Sequence, residues 1–198
     1  LGRIGDPVAV PAMAECMKKE DYWFRRSVVN AFHEMKHEAT IPPLVESLQD
    51  EEPYVRRGAV QWLKNFKQPE VIAALIKATS EDKDEDVRMY AAWSLGQIKA
   101  VEAVPALINN LSDSEFWIRR SSTRALHEIG TAAKEAIPAL IHGLLHDDDY
   151  DVRLKAASAL GQVGVGAEEA TTALIQALQD EHHWVRQNAS WCVGETKG

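Results

Sequence analysis

Hydrophobic and polar positions alternate along this chain in a pattern that returns about every 32 residues. Each return is marked by an apolar residue followed directly by arginine, and positions are numbered from that arginine. The six pairs are Phe24-Arg25, Val55-Arg56, Val87-Arg88, Ile118-Arg119, Val152-Arg153 and Val185-Arg186. Consecutive arginines are 31, 32, 31, 34 and 33 residues apart. A near-constant period of this length predicts an array of structural repeats.

Positions −1, +3, +7 and +10 lie on one face of a helix with 3.6 residues per turn, and this helix is named B. Position +7 holds Phe32, Leu63, Leu95, Leu126, Leu160 and Val193. Position +10 holds Met35, Phe66, Ile98, Ile129, Val163 and Thr196. The pattern therefore predicts that each B helix buries this face in a core.

A preceding helix, named A, begins with a proline and then apolar residues in four of the six repeats. These prolines are Pro11, Pro42, Pro105 and Pro138, and Ala73 and Thr172 take their place in repeats three and six. Proline suits the first turn of a helix because the N–H that it lacks has no intrahelical partner there.

One helix pair of this kind cannot bury its apolar face alone, whereas stacked pairs share a continuous core. The sequence therefore predicts an all-α fold of six helix pairs. The predicted repeats span residues 6–36, 37–67, 68–99, 100–132, 133–166 and 167–198, and residues 1–5 are interpreted as the tail of a preceding repeat. Neither end carries a polar capping repeat, so we expect a fragment of a longer array or a domain whose caps lie elsewhere.

The pattern of repeats four and five, Pro-Ala-Leu-Ile followed by Val/Ile-Arg and a late Leu-Gly or Leu-His, resembles the HEAT-like repeats of the phycobilisome lyases. The resemblance extends over nearly the whole chain. It implies a right-handed α-α superhelix of the HEAT/armadillo type, with A helices on the convex side and B helices lining the concave side. It implies little about function.

An aspartate stands six residues before the reference arginine in five repeats, and only the first repeat departs, with Lys19. We interpret these pairs as a structural ladder, in which each aspartate accepts hydrogen bonds from the arginine of its own or a neighbouring repeat. The ladder residues are Asp50, Arg56, Asp82, Arg88, Asp113, Arg119, Asp147, Arg153, Asp180 and Arg186.

Positions −3, −2, +1, +2, +5 and +9 of helix B avoid the core face, and five of the six tryptophans occupy non-core positions, Trp62 being the exception. The predicted partner-binding residues are Trp23, Arg26, Tyr54, Arg57, Tyr90, Trp93, Trp117, Arg120, Arg124, Trp184 and Trp191. Tryptophan, tyrosine and arginine dominate binding hot spots. We expect Tyr90, Trp93, Arg120 and Arg124 to converge at the centre. In the alternative interpretation, the aromatic residues at −2 and −3 pack on the turn of the next repeat.

Composition narrows the candidate partners. The net charge of −8 disfavours nucleic acid as a partner, since phosphate backbones require a basic surface. The longest apolar runs fall short of the roughly 20 residues that cross a bilayer, so we expect no membrane partner. Cys16 and Cys192 stand near opposite ends of the chain, which suits a reducing cytoplasm without disulfides.

Histidines raise the question of metal. His33 and His37, like His142 and His146, are four residues apart and could share a helix face. The sequence places no third ligand beside either pair, so we expect no metal and no cofactor. Deoxyhypusine hydroxylase, a HEAT-like enzyme, binds iron through His-Glu pairs, but His33-Glu34, His37-Glu38 and His127-Glu128 form no symmetric set of four.

The sequence thus predicts a non-catalytic scaffold that binds a protein or peptide through its B helices. Neighbouring repeats of a longer chain are a second kind of partner that this interpretation allows. One alternative is a phycobilin lyase subunit or chaperone, which helps to attach a linear tetrapyrrole to a phycobiliprotein, and it rests on the resemblance alone. A DNA-binding array similar to the HEAT-like alkylpurine glycosylases ranks last, because this chain is acidic.

Overall fold

The computed structural model describes residues 6–18 and 21–195 of the 198-residue chain. The features predicted at residues 1–5, at Lys19 and at Thr196 lie outside this part. Helices and turns account for all the regular structure in the described residues, which contain no β-strand. The all-α prediction is therefore confirmed.

The α-helices of the described residues alternate between the A and B types. The A helices are α1 (Val10–Met17), α3 (Ile41–Ser47), α5 (Pro69–Glu81), α7 (Val104–Asn110), α9 (Ile137–His146) and α11 (Glu168–Gln176). The B helices are α2 (Tyr22–Met35), α4 (Pro53–Leu63), α6 (Glu85–Ile98), α8 (Phe116–Ile129), α10 (Tyr150–Val163) and α12 (His183–Glu195). The residue bounds of the repeats given above stay a prediction.

Prolines mark where the A helices start. Pro11, Pro42, Pro105 and Pro138 occupy the first turns of α1, α3, α7 and α9. A short 3-10 turn precedes each of these four helices. In the third repeat, α5 begins at Pro69, four residues before Ala73, so this helix also starts with a proline that the sequence alignment overlooked.

The chain divides into two compact units, Leu1–Ser94 and Leu95–Gly198, with the boundary inside α6. In the first unit, α1 packs on α2, α2 packs on α4, and α3 packs on both α4 and α5. In the second unit, α10 packs against α8, α9 and α12, while α11 packs against α9 and α12. Each unit therefore consists of neighbouring A and B helices that cover one another's apolar faces.

The cores of both units are built from the positions that the periodicity selects. Leu63 in the first unit and Leu95, Leu126 and Leu160 in the second are fully buried, which confirms the prediction made for the last three. The apolar residue before the reference arginine is also buried in five repeats. Phe24 differs, since its side chain is exposed.

Glycines let particular B helices approach one another closely. A Cβ atom on Gly96 would stand 2.6 Å from the Cα atom of Ala125 in α8. A Cβ atom on Gly161 in α10 would stand 2.7 Å from the Sγ atom of Cys192 in α12. Such distances are too short for any carbon, so glycine is required for these helices to pack as they do.

Candidate partner-binding face

The reference arginines fix the spacing of neighbouring repeats. Arg56 donates from Nε and Nη2 to the two carboxylate oxygens of Asp82 in the next repeat, both at 2.8 Å. Its Nη1 donates to the backbone carbonyl of Asp50 in its own repeat at 2.9 Å. One buried guanidinium thus joins the turns of two consecutive repeats.

The same two-sided arrangement recurs elsewhere. The equivalent carboxylate pairs are Arg25–Asp50, Arg119–Asp147 and Arg153–Asp180. The carbonyl contacts recur for Arg88, Arg119, Arg153 and Arg186, each with the aspartate six residues earlier. Asp113 accepts a hydrogen bond from the backbone N–H of Glu115. Because all these groups are engaged with the protein itself, the ladder residues offer little to an external ligand.

Electrostatics reinforce the ladder. Side-chain hydrogen bonds donated to aspartate carboxylates raise the pKa of Arg25, Arg56, Arg119 and Arg153 further above its ordinary value. Burial alone would raise the pKa of Asp180, but hydrogen bonds from Arg153 and from the backbone N–H of His182 outweigh burial and lower it. The carboxylate therefore stays ionised through neutral pH.

In the first unit, the predicted binding residues form a row of alternating cations and rings. The guanidinium carbon of Arg26 lies 5.8 Å from the ring centre of Tyr54, and that of Arg57 lies 5.1 Å from the same ring. Arg57 also lies 5.9 Å from the ring centre of Tyr90. Cation–π contacts of this kind hold planar donors in a fixed orientation on an accessible surface.

Trp93 is engaged by a residue that the sequence reasoning missed. The ammonium nitrogen of Lys64, at the C-terminal end of α4, lies 4.3 Å from the ring centre of Trp93, which is half-buried. Lys64 stands at position +8 of its repeat, outside the positions that the periodicity assigned to the binding face. In the sequence, only its place at the end of helix B could have indicated that Lys64 contacts the binding face.

A second row of ion pairs was also missed. Arg57 at position +1 pairs with Asp86, at position −2 of the next repeat, at 2.9 Å. Arg120 at position +1 pairs in the same way with Asp151. Where an arginine at +1 is followed by an aspartate at the next −2, the sequence pattern itself could have indicated the pair.

The second unit carries further predicted residues. The guanidinium carbon of Arg120 lies 5.5 Å from the ring centre of Trp117. Arg124, one turn further along α8, is exposed. Since Tyr90 and Trp93 belong to the first unit and Arg120 and Arg124 to the second, the convergence of these four residues stays a prediction.

A cavity of about 530 Å³ opens between α8, α10 and α12 in the second unit. Trp184 and Trp191 form part of its wall. The other lining residues are His127, Leu154, Ser158, Gly161, Gln162, Gln187, Asn188 and Cys192. Asn188 is held in place, since its Nδ2 donates to Ser158 Oγ at 2.9 Å and its Oδ1 accepts from the thiol of Cys192.

Contacts with neighbouring side chains distinguish the aromatic residues better than exposure does, since Tyr150, 44% exposed, packs on a ring of the next repeat. The exposed fractions are 59% for Trp23, 48% for Trp117, 52% for Trp184 and 69% for Trp191. By contrast, Tyr150 stacks on His182 of the next repeat with ring centres 3.9 Å apart, as the packing alternative expects. Trp62, expected to be a core residue, is only half-buried and stacks on His33 at 3.5 Å.

The remaining candidate chemistry is limited. Within the described residues, no group of three or more His, Cys, Asp or Glu side chains could hold a metal ion. His142 and His146 lie with their ring centres 5.1 Å apart on α9. Neither of the two cysteines, both in the described part, forms a disulfide. No helix there is long and apolar enough to span a membrane.

The geometry defines a class: helical-repeat proteins in which one helix of each pair carries variable surface residues. Solved structures with this fold include a designed armadillo repeat protein in complex with the peptide (KR)4, at 20% identity over 94% of this chain and 99% of that one, with a TM-score of 0.71. Another is human deoxyhypusine hydroxylase, at 19% identity over 96% and 84% of the chains, with a TM-score of 0.55.

Sequence comparison defines the family. The model for HEAT repeats matches residues 1–53, 41–127 and 137–198, and the model for the PBS lyase HEAT-like repeat matches residues 118–146. The chain belongs to the HEAT repeat family, which confirms the predicted α-α superhelix of the HEAT/armadillo class. A scaffold of this class supports a protein-binding role.

A curated relative is similar over part of the chain. The phycocyanobilin lyase subunit alpha of Microchaete diplosiphon is 38% identical over 76 residues, which make up 34% of this chain. The chain spans about a quarter of the length of that relative.

Proposed function

We propose that this protein is a non-catalytic scaffold that binds a protein or peptide along its B helices, with these helices lining the concave side. The observation that carries the proposal is the set of four exposed tryptophans at non-core positions of three B helices, α2, α8 and α12: Trp23, Trp117, Trp184 and Trp191. Scattered exposed apolar residues are ordinary. Large exposed rings at the same position, −2, of three repeats are not, and Trp191 adds a fourth ring at position +5 of α12.

The free energy available from burying these tryptophans favours a binding role over chance exposure. A tryptophan side chain carries roughly 200 Å² of surface. Leaving half of it in water forgoes about 2–3 kcal/mol of burial free energy per residue. A partner that covers these rings recovers that free energy, and rigid aromatic side chains lose little conformational entropy when they are covered.

The neighbouring arginines add specificity. Arg26, Arg57 and Arg120 lie against aromatic rings, so their planar donors are oriented before a partner arrives. The cavity beside Trp184 and Trp191 offers a concave pocket of the size that accepts a partner's side chain. The designed armadillo repeat relative, whose structure holds a peptide, supports a segment of protein as the occupant.

Capture from a lysate of the source organism tests the proposal when it is done in parallel with matched variants. We expect the unmodified chain to retain a specific protein that the double variant Trp184→Ala/Trp191→Ala loses. Lys77→Ala, an exposed residue on the A helix α5, is the control and should retain it. Equal capture by all three chains, each confirmed to be helical, would overturn the proposal.

A second candidate function is participation in phycobilin attachment, and the partial similarity to the phycocyanobilin lyase subunit supports it. The cavity beside Trp191 is large enough for part of a flat tetrapyrrole, but its lining carries no lysine or arginine to pair with acidic substituents of such a ligand. Titration with phycocyanobilin distinguishes the candidates. A shifted visible absorbance band that Trp191→Ala abolishes would support bilin binding over the scaffold role.

A further inference from the structure

The position +1 arginines differ in what the next repeat supplies to them. Arg57 pairs with Asp86, and Arg120 pairs with Asp151, each a carboxylate at position −2 of the following repeat. Arg26 occupies the same +1 position, but position −2 of its following repeat is Tyr54. Arg26 therefore contacts a ring where the other two arginines contact a carboxylate.

The surroundings of Arg26 differ from those of Arg57 and Arg120. Among the described residues, no carboxylate lies within ion-pair distance of its guanidinium. Arg57 lies against the same Tyr54 ring, and its one acidic partner, Asp86, is half exposed to water. Two guanidinium groups thus lie near one ring, and among the described residues the one carboxylate that contacts either of them is Asp86, beside Arg57.

We propose that this surface, formed by Arg26, Tyr54 and Arg57, binds an acidic segment of the partner, whose Asp or Glu carboxylate takes the place that Asp86 and Asp151 take in other repeats. The inference rests on the proposed function and adds the chemistry of the bound segment. Guanidinium groups that lie against a ring present the paired donors that a carboxylate accepts.

The acidic character of the whole chain does not oppose this binding. Glu51 lies in the turn before α4, where the reference arginine Arg25 contacts its side chain at 3.3 Å. Charges separated by more than about 8 Å are largely screened at physiological ionic strength. A segment seated at Tyr54 therefore meets the charges of Arg26 and Arg57 directly, while the distant part of the net charge of −8 is screened.

Synthetic octapeptides test the inference with the full chain. Fluorescein-labelled (Asp-Glu)4 and (Lys-Arg)4 are titrated separately, and binding is followed by anisotropy. We expect (Asp-Glu)4 to bind more tightly and its affinity to fall as salt rises. Arg26→Gln should weaken that binding by about fivefold, the order expected for one partly exposed charge pair.

A variant that adds a carboxylate beside Arg26 tests the inference more sharply. Tyr54→Asp gives Arg26 the partner that the other repeats supply, so it should weaken (Asp-Glu)4 binding at least as much as Arg26→Gln. Lys77→Ala lies on an A helix, outside this surface, so it should bind like the unmodified chain. Circular dichroism checks that each variant remains helical.

The inference is overturned if (Lys-Arg)4 binds as tightly as (Asp-Glu)4, or if neither Arg26→Gln nor Tyr54→Asp weakens binding of the acidic peptide. Absence of any binding by the acidic peptide overturns it as well. These failures leave the proposed function standing if partner capture still depends on Trp184 and Trp191. Capture that ignores those tryptophans overturns the proposed function by a separate measurement.

Discussion

A single buried leucine tests whether the helical register is correct. Leu126 at position +7 of α8 is fully buried, whereas Ile175 on α11 has 52% of its surface exposed. Truncating a buried leucine removes its transfer free energy and leaves a cavity, so Leu126→Ala should lower the free energy of unfolding by about 2–5 kcal/mol. Ile175→Ala should change it by less than about 0.5 kcal/mol. Urea denaturation of both variants measures the difference, and equal losses would contradict the register.

The Arg153–Asp180 pair predicts a pH dependence of stability. The pKa of Asp180 is lower in the folded protein than its ordinary value. The contribution of its carboxylate to stability is therefore complete above the unfolded pKa of about 3.9 and is lost as the pH falls through the folded pKa. Asp180→Asn should destabilise the protein at pH 7, and the gap between the two proteins should narrow below about pH 4.

Denaturation of both proteins at several pH values measures that gap. Glu181→Gln is a suitable control, because that side chain is 87% exposed although it contacts the same arginine. A gap between the unmodified protein and Asp180→Asn that is equally wide at neutral and strongly acidic pH would contradict the role given to the carboxylate.

At the residue scale, sequence alone predicts positions better than contacts. The aspartate–arginine spacing predicted which residues form the ladder, because their register repeats. It left open whether the aspartate binds the arginine of its own repeat or that of a neighbour. In the structure, the carboxylate of such an aspartate accepts from the arginine of the preceding repeat, and its backbone carbonyl accepts from the arginine of its own repeat. The cation–π contact between Lys64 and Trp93 depends on side-chain rotamers, which the periodicity of the sequence does not predict.

At the scale of elements, the close approach of α6 and α8 at Gly96 and Ala125 yields a prediction that runs against helix propensity. Alanine is the better helix former. A Cβ atom on Gly96 would nonetheless meet the Ala125 backbone at 2.6 Å, and backbone atoms cannot swing aside. Gly96→Ala should therefore lower the free energy of unfolding by about 1–3 kcal/mol.

Gly194, near the end of α12, is the matched control. A Cβ atom there meets nothing within 4 Å, so Gly194→Ala should be neutral or slightly stabilising. Thermal denaturation of the two variants compares them directly. A stabilised Gly96→Ala variant would show that α6 and α8 do not need their close approach.

The elements themselves were largely predictable, because one physical signal recurs six times. Apolar periodicity placed the B helices, and first-turn prolines placed four A helices. The start of α5 was missed because its proline, Pro69, lies four residues earlier than the shared motif. The 3-10 turns before the A helices carry no apolar periodicity, so the sequence pattern gave no sign of them.

At the scale of the whole molecule, charge leads to a prediction about nucleic acid. The net charge is −8, and the reference arginines are engaged with aspartates or backbone carbonyls of the protein itself. Phosphate contacts need unengaged cations. We expect no measurable binding to random-sequence duplex DNA at physiological salt in an electrophoretic mobility assay, and tight binding there would contradict this view of the surface.

The central claim, that the B helices bind a protein partner, is tested most directly by calorimetric titration of the captured partner into two single variants. Trp93 and Arg124 hold equivalent +5 positions in adjacent repeats. We expect Trp93→Ala and Arg124→Ala each to weaken binding by more than about 1 kcal/mol, as truncated hot-spot residues do. Their helical signal and melting temperature should stay near those of the unmodified chain, and Lys77→Ala should bind normally. Normal binding by both variants would contradict the claim, and so would their unfolding, since the aromatic residues would then serve packing between repeats.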